Sequence, residues 1–209
     1  MEKWIYVLRH GETDYNRLGI VQGQGVDTSL NDLGRQQAQA FYEHYAAEPF
    51  ELVLTSGLQR THQTIAPFLE RGLPWKQVPE INEISWGQHE GQRSTPEMRE
   101  EFLHTLGQWK LGNLHARFSN GESAADLAAR LGAFVQQLPH YPAQNILVCS
   151  HGRAMRCLTC LLLGEPVERM EEFHHANTGL YLFLYREGRF ELKLQNDTRH
   201  LEAAGLKID

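Results

Sequence analysis

The stretch that decides the fold is YVLRHGETDYN (Tyr6–Asn16), an apolar run that ends abruptly at Arg9 and His10. A short, nearly continuous apolar run is typical of a strand that is buried on both faces. A cation and an imidazole at the end of such a strand need an explanation, and the rest of the sequence supplies two further places of the same kind.

Two other short apolar runs resemble the first, and each of the three leads through a polar turn into a helical pattern. The predicted strands are Trp4–Leu8, Leu52–Leu54 and Ile146–Cys149, and the predicted helices are Asn31–Ala47, Leu58–Arg71 and Ala154–Leu163. Strands that alternate with helices indicate an α/β fold with a mainly parallel sheet. Near the C-terminus, Leu180–Tyr185 and Phe190–Gln195 flank a short turn, which predicts an antiparallel hairpin at one side of the sheet.

Composition excludes several classes of protein. The chain has 209 residues, of which 41% are apolar and 22% charged, as in an ordinary globular protein. Its net charge of -6 gives no overall attraction for nucleic acid or for an anionic membrane. No apolar run is long enough to span a bilayer and no leader-peptide pattern is present, so we expect a cytoplasmic protein.

The chain has three cysteines, an odd number, which argues against a disulfide framework. Cys157 and Cys160 have the spacing of half a zinc site, but they lie in the apolar pattern AMRCLTCLLLG, and Cys149 lies in a predicted strand. We therefore expect all three to be small apolar side chains rather than metal ligands.

No repeat or linker divides the sequence, so residues 1–209 are expected to form a single domain. Ser123 and Asp126 have the spacing of a capping box, which predicts the start of a helix. Residues 85–121 fit the alternation of strands and helices poorly, although helical signals surround Pro96–Leu106. We interpret this region as an insertion that forms a lid over the end of the sheet. A peripheral packing helix or a mobile loop fits the same pattern.

Chemically unusual residues follow all three predicted strands. The first strand ends at Arg9 and His10; the second is followed by Arg60, about one helical turn after a predicted cap at Ser56; the third is followed by His151. Parallel sheets bind ligands beyond the carboxyl ends of their strands. Cations at helix N-termini oppose the macrodipole, so this cluster needs an anion, and phosphate suits guanidinium groups and helix N-terminal amides.

Five motifs together resemble one protein family. LRHGET with Asn16, TSGLQRTHQT, NEISWGQHEG, GES and VCSHG occur in an order that resembles the histidine phosphatase superfamily, also called phosphoglycerate mutase-like proteins. The resemblance covers about residues 5–160. It implies a three-layer α/β/α sandwich and a covalent phosphohistidine intermediate, and it implies no metal and no cofactor.

The resemblance also implies roles for particular residues. The nucleophile is His10, and the proton donor to the leaving group is Glu83, with Glu90 of the same motif ranked second. His151 joins His10 and Glu83 as a catalytic residue, and the phosphate is bound by Arg9, Asn16, Arg60 and His151.

The chemistry of these side chains supports the implied roles. A neutral imidazole is a good nucleophile, and the neighbouring Arg9 and Arg60 are expected to lower the pKa of His10 and keep its attacking nitrogen free. The same guanidinium groups neutralise the phosphate oxygens during in-line transfer. An alkoxide leaving group needs a proton, which Glu83 supplies before it serves as a base toward water.

Within the family, we predict a phosphatase that acts on a small phosphorylated metabolite. The alternative is a bisphosphoglycerate-dependent mutase. Mutases have a longer basic insertion after the glutamate, whereas here Ile84-Ser85-Trp86 follows it. Arg153 also stands where mutases often have a small residue.

Two other classes of function remain as alternatives. In a metallohydrolase, His10, His151 and Glu83 would bind a divalent metal, which the arginines oppose because they repel a cation. An inactive phosphate-binding module would normally have lost a catalytic residue, whereas every matched position is retained here.

Further residues are candidates for substrate selection or for purely structural roles. These are Arg153, His89, His174, His175 and Asn177. The predicted hairpin offers either a homodimer contact or an ordinary sheet edge.

Overall fold

A six-stranded sheet lies at the centre of the computed structural model, which describes residues 2–118 and 120–207. The strands are β1 (Lys3–Arg9), β2 (Leu52–Thr55), β3 (Trp75–Gln77), β4 (Asn145–Ser150), β5 (Leu180–Arg186) and β6 (Arg189–Asp197). Their order across the sheet is β3-β2-β4-β1-β5-β6. The first four strands of this order are parallel, while β5 pairs antiparallel with β1 and β6 pairs antiparallel with β5. The predicted parallel sheet with a C-terminal antiparallel hairpin is confirmed.

Seven helices surround the sheet in the part of the chain that the structure describes. They are α1 (Asp14–Leu18), α2 (Asp32–Tyr45), α3 (Gln59–Glu70), α4 (Pro96–Lys110), α5 (Ala124–Gln137), α6 (Gly152–Leu163) and α7 (Arg199–Ala203). None of these helices is long and apolar enough to cross a membrane.

Alternation along β1 divides the core into two layers. Ile5 and Val7 belong to a cluster with side chains of α5 and α6, whereas Tyr6 and Leu8 belong to a second cluster with side chains of α2 and α3. Successive side chains of a strand point to opposite faces, so helices cover both sides of the sheet. The predicted three-layer α/β/α sandwich is confirmed.

Several predicted boundaries differ from the structure. Helix α3 begins at Gln59 and its N-cap is Leu58, so the predicted cap at Ser56 is wrong. The hydroxyl of Ser56 instead accepts a hydrogen bond from the Leu58 amide at 3.1 Å. Strand β3 was not predicted, because its three residues are all exposed and carry no apolar pattern. The capping box of Ser123 and Asp126 is confirmed by hydrogen bonds in both directions.

Residues 85–121 pack onto the core through aromatic side chains. Trp86, Trp109 and Phe118 are buried in the same cluster as α5 and α6. The ring centroid of Trp86 lies 5.5 Å from that of Phe102 and 5.2 Å from that of Phe118. The predicted helix extends to Lys110. A role for this region as a lid stays a prediction.

The three cysteines are buried and free, as their apolar surroundings predicted. Cys157 and Cys160 lie on α6 and belong to the apolar cluster beneath the sheet. Burial raises the pKa of each of these two thiols to about 12, which keeps them protonated.

Candidate active site

The predicted site residues converge because three parallel strands end at one edge of the sheet. The register pairs Arg9 of β1 with Ser150 of β4, so the residues that follow, His10 and His151, are neighbours. The amide of His10 donates to the carbonyl of Ser150 at 3.0 Å, and the two imidazole centroids lie 5.2 Å apart. Strand β2 pairs with β4 on its other side, which brings Arg60 in the first turn of α3 to the same edge.

Hydrogen bonding fixes the tautomer of His10. Its Nδ1 lies 2.7 Å from the carbonyl oxygen of Gly11, and a carbonyl can only accept, so Nδ1 carries the proton and Nε2 keeps its lone pair. The side-chain amide of Asn177 donates to the carbonyl of His10 at 3.0 Å and holds the backbone. Only glycine fits at position 11, because an added Cβ would lie 2.6 Å from the carbonyl oxygen of Gly34.

The surroundings of His10 keep it neutral. The side chain is only 4% exposed, and burial is the main cause of a pKa well below the usual range of histidine. The positive charges of Arg60 and Arg9 lower the pKa of His10 further. An uncharged imidazole with a free Nε2 is the form in which histidine attacks phosphorus.

Arg60 and His151 hold each other in a buried pair. The guanidinium of Arg60 donates to the carbonyls of Val26 at 2.7 Å and Gly23 at 3.3 Å, and its Nε donates to Nδ1 of His151 at 3.1 Å. Since Nδ1 of His151 accepts, its Nε2 is the protonated nitrogen and donates to Oγ of Ser56 at 2.8 Å. Both ring nitrogens are therefore engaged by protein groups, and direct donation from His151 to phosphate stays a prediction.

Glu83 occupies the N-terminus of α6. Its Oε1 accepts from the amides of Ile84 at 2.9 Å and Ala154 at 3.0 Å, and its Oε2 accepts from the amide of Arg153 at 3.0 Å. The amides of Arg153 and Ala154 belong to the first turn of α6, where backbone N–H groups have no partner within the helix. Each carboxylate oxygen has more than one acceptor position, so Oε2 keeps one for a substrate.

Glu90, the rival within the same motif, has a different position. Its Oε1 accepts from the amide of Trp86 and its Oε2 from the amide of Gly25, each at 2.8 Å. It therefore ties the loop around Gly25 to the start of the insertion, which supports the choice of Glu83 as the proton donor.

An open cavity of about 210 Å³ lies over these residues. Among the predicted site residues, Arg9, Asn16 and Glu83 line it. The buried His10 and His151 adjoin the lining residues Arg9 and Gly152 in sequence, and the buried Arg60 is bonded to His151. Its other polar walls are Gln22, Arg153, Arg156 and His175. The Oδ1 atom of Asn16 accepts from the backbone and hydroxyl of Thr13, which leaves its NH₂ group to donate to a ligand.

The remaining candidates have separate positions. His175 lines the cavity and its Nε2 accepts from Arg156 at 3.0 Å, while burial and Arg9 lower the pKa of His175 to about 2. His174 is exposed, and His89 lines a neighbouring apolar cavity. Gln22 was missed by the sequence analysis, because it lies in the loop between α1 and α2 and no local pattern marks it.

Comparison with known proteins identifies the family. Residues 5–198 match the family model described as histidine phosphatase superfamily (branch 1). The chain is 34% identical, over 81% of its length and 83% of the relative, to the adenosylcobalamin/alpha-ribazole phosphatase of Escherichia coli K12. It is also 30% identical, over 97% of its length and 96% of the relative, to a Yersinia pestis protein with the name "Probable phosphoglycerate mutase GpmB".

A solved structure agrees with this identification. The alpha-ribazole phosphatase of Shigella flexneri superposes with a TM-score of 0.82 at 30% identity, over 93% of this chain and 96% of that one. The chain belongs to the histidine phosphatase superfamily.

Proposed function

We propose that this chain hydrolyses phosphomonoesters through a phosphohistidine at His10, with Glu83 as the proton donor. The observation that carries the proposal is the hydrogen bond from Nδ1 of His10 to the carbonyl of Gly11. This bond places the ring proton on Nδ1 and leaves the lone pair on Nε2. Burial and two nearby guanidinium groups keep the imidazole neutral. Phosphatases of this superfamily are among the relatives, and this mechanism is typical of the family.

The first step transfers the phosphoryl group to His10. Its Nε2 attacks phosphorus in line with the ester oxygen, so an N–P bond forms while the P–O bond to the alcohol breaks. Glu83 gives its proton to the departing alkoxide, which leaves as an alcohol. Arg9, Arg60 and the NH₂ group of Asn16 neutralise and orient the phosphoryl oxygens.

The second step returns the enzyme to its starting state. Glu83, now a carboxylate, removes a proton from water as the water oxygen attacks phosphorus and the N–P bond breaks. Inorganic phosphate leaves, and Glu83 is again protonated for the next cycle. His151 orients Arg60 through the bond between its Nδ1 and the Nε of Arg60 in both steps.

A mutase is the second candidate, because one relative carries that name. A mutase must retain a bisphosphate, which calls for a second group of free cations beside the first phosphate. Arg153 and Arg156, the arginines in the right place, both pair with Glu171, which supports the phosphatase. Incubation with 3-phosphoglycerate and its bisphosphate distinguishes the two: we expect that any turnover releases free phosphate, with little isomerisation.

The net charge of -6 supports a small phosphorylated metabolite rather than nucleic acid as the substrate. A cytoplasmic location stays a prediction, and so does a homodimer through the hairpin, whose strand β6 forms one edge of the sheet.

The experiment that tests the mechanism compares Glu83→Gln with Glu90→Gln on two substrates. Propyl phosphate needs a proton on its leaving group, whereas p-nitrophenyl phosphate releases an anion that is stable at neutral pH. With Glu83→Gln we expect kcat/KM to fall by about 10³-fold for propyl phosphate and by less than tenfold for p-nitrophenyl phosphate. Glu90→Gln should lower both equally and slightly. Equal losses on both substrates with Glu83→Gln would show that Glu83 is not the proton donor.

A further inference from the structure

A second cavity adjoins the cavity of about 210 Å³ over the candidate active site, which we call the phosphate cavity. It measures about 270 Å³, and its walls include Val21, Trp86, Met98, Phe102 and Phe118. Trp86 and Gln22 line both cavities, so the two share a wall. The alcohol part of a phosphate ester bound in the first cavity can therefore extend into the second.

The second cavity is suited to an apolar group. Trp86, Phe102 and Phe118 form one aromatic cluster, in which the rings of Phe102 and Phe118 stack with centroids 6.0 Å apart. The imidazole of His89 at its wall is paired with Glu101 at 2.9 Å, and the other polar residues of the wall are Gln22, Ser94 and the exposed Arg99. Ligand pockets of this type bind mainly by burying apolar surface, with few polar contacts.

Glu171 neutralises positive charge at the wall of the phosphate cavity. Arg153 and Arg156, one turn apart on α6, both line the phosphate cavity. The carboxylate of Glu171 pairs with Nη1 of Arg153 through one oxygen and with Nη1 of Arg156 at 2.8 Å through the other. The guanidinium of Arg153 also lies 5.9 Å from the ring centroid of Trp86 and 5.8 Å from that of Phe102, which fixes its position.

From these two features we infer the substrate class: a phosphomonoester of an uncharged, largely apolar alcohol, whose alcohol part occupies the second cavity. Glu171 acts against substrates that carry a carboxylate beside the phosphate, because it occupies the two arginines that would bind that group and repels it. This inference rests on the proposed function and names the substrate class of the same site.

The first test uses three phosphates of primary alcohols. Propyl phosphate measures hydrolysis alone, 3-phenylpropyl phosphate adds an apolar ring, and 3-phosphoglycerate adds a carboxylate. With the wild-type enzyme we expect kcat/KM to be about tenfold higher for 3-phenylpropyl than for propyl phosphate. A ratio near one would overturn the inference while leaving the proposed function intact, whereas no turnover of any of the three would overturn the proposed function.

A first pair of variants, assayed on the same substrates, tests whether the second cavity binds the phenyl group. Met98→Ser removes apolar surface from the cavity, and Leu103→Ser is its control, because Leu103 is exposed on the same helix and lies outside the cavity. The preference for the phenyl group should shrink by at least threefold in Met98→Ser only. An unchanged preference in Met98→Ser would overturn the assignment of the cavity.

The second pair tests Glu171. Glu171→Gln removes the charge but keeps the shape, and the control is Glu172→Gln, since Glu172 is exposed and pairs with Arg169 instead. We expect the ratio of kcat/KM for 3-phosphoglycerate over propyl phosphate to rise by about fivefold in Glu171→Gln and to stay constant in Glu172→Gln. A ratio that does not rise in Glu171→Gln would overturn the role of Glu171.

Discussion

The two sides of the site are held in place by different forces. The phosphate side (Arg9, His10, Arg60 and His151) consists of polar groups at the ends of strands. His10, Arg60 and His151 are buried, and hydrogen bonds fix their positions. The leaving-group side (Trp86, Met98, Phe102 and Phe118) consists of apolar side chains that pack against one another.

This difference explains how one scaffold can catalyse the same reaction on different substrates. A buried polar network loses much when one member is removed, because the partner is left without a hydrogen bond. Apolar walls tolerate exchange among side chains of similar volume at a cost of less than about 1.5 kcal/mol. Substitutions on the phosphate side should therefore affect every substrate, and substitutions on the leaving-group side only some.

The largest effect is expected from removing a guanidinium on the phosphate side. Arg60→Ala should lower kcat/KM by about 10³-fold for propyl and 3-phenylpropyl phosphate alike, because both share the same phosphoryl group. Phe102→Leu should lower kcat/KM only for 3-phenylpropyl phosphate, by a few-fold. Steady-state kinetics on both substrates checks this, with Arg17→Ala as the control, since Arg17 is exposed and paired with Asp14. If Arg60→Ala lowered kcat/KM by different factors for the two substrates, the two sides of the site would not act separately as described.

The next prediction concerns the stability of the folded chain at acidic pH. Burial lowers the pKa of His10, His151 and His175, in the last case to about 2, and that of the more distant His200 to about 4. Below about pH 6.5 the unfolded chain therefore binds protons that the folded chain does not, so the free energy of unfolding falls as the pH falls. Each of these histidines contributes up to about 1.4 kcal/mol per pH unit.

Urea denaturation between pH 7.5 and 5 measures this dependence. Saturating inorganic phosphate should make the dependence weaker, because the bound anion favours protonation of His10 and its neighbours. The neutral alcohol 3-phenylpropanol should bind the leaving-group side and leave the dependence on pH as it was. A free energy of unfolding that is constant over this range would contradict the account of the buried neutral histidines.

A smaller effect is expected from Ser56→Ala. The hydroxyl of Ser56 accepts a hydrogen bond from Nε2 of His151. Without the hydroxyl a fully buried donor loses its partner, at a cost of about 1–3 kcal/mol in stability. Because His151 orients Arg60, kcat should also fall by about tenfold for every substrate. Ser94→Ala, at the wall of the apolar cavity, is the matched control. An unchanged kcat in Ser56→Ala would show that Ser56 does not position His151 for catalysis.

The phosphate side could be predicted from sequence because each of its residues ends a strand, directly follows one or lies in the first turn of a helix. The apolar run before Arg9 and the alternation of strands and helices were enough to place His10, Arg60 and His151 at one edge of the sheet. The leaving-group side could not be predicted in this way. The contact of Trp86 with Phe102 and Phe118 depends on how residues 85–121 pack, and the pairing of Glu171 with two arginines joins distant segments.

A rapid-mixing experiment tests directly whether His10 carries the phosphoryl group. The enzyme turns over propyl phosphate and is quenched in alkali, where phosphohistidine is stable. Peptide mapping by mass spectrometry then locates the phosphoryl group. We expect phosphorylation of His10 within the first turnover, and neither a phosphorylated peptide nor turnover in His10→Ala. A phosphoryl group on another residue, or wild-type turnover in His10→Ala, would contradict the proposed mechanism.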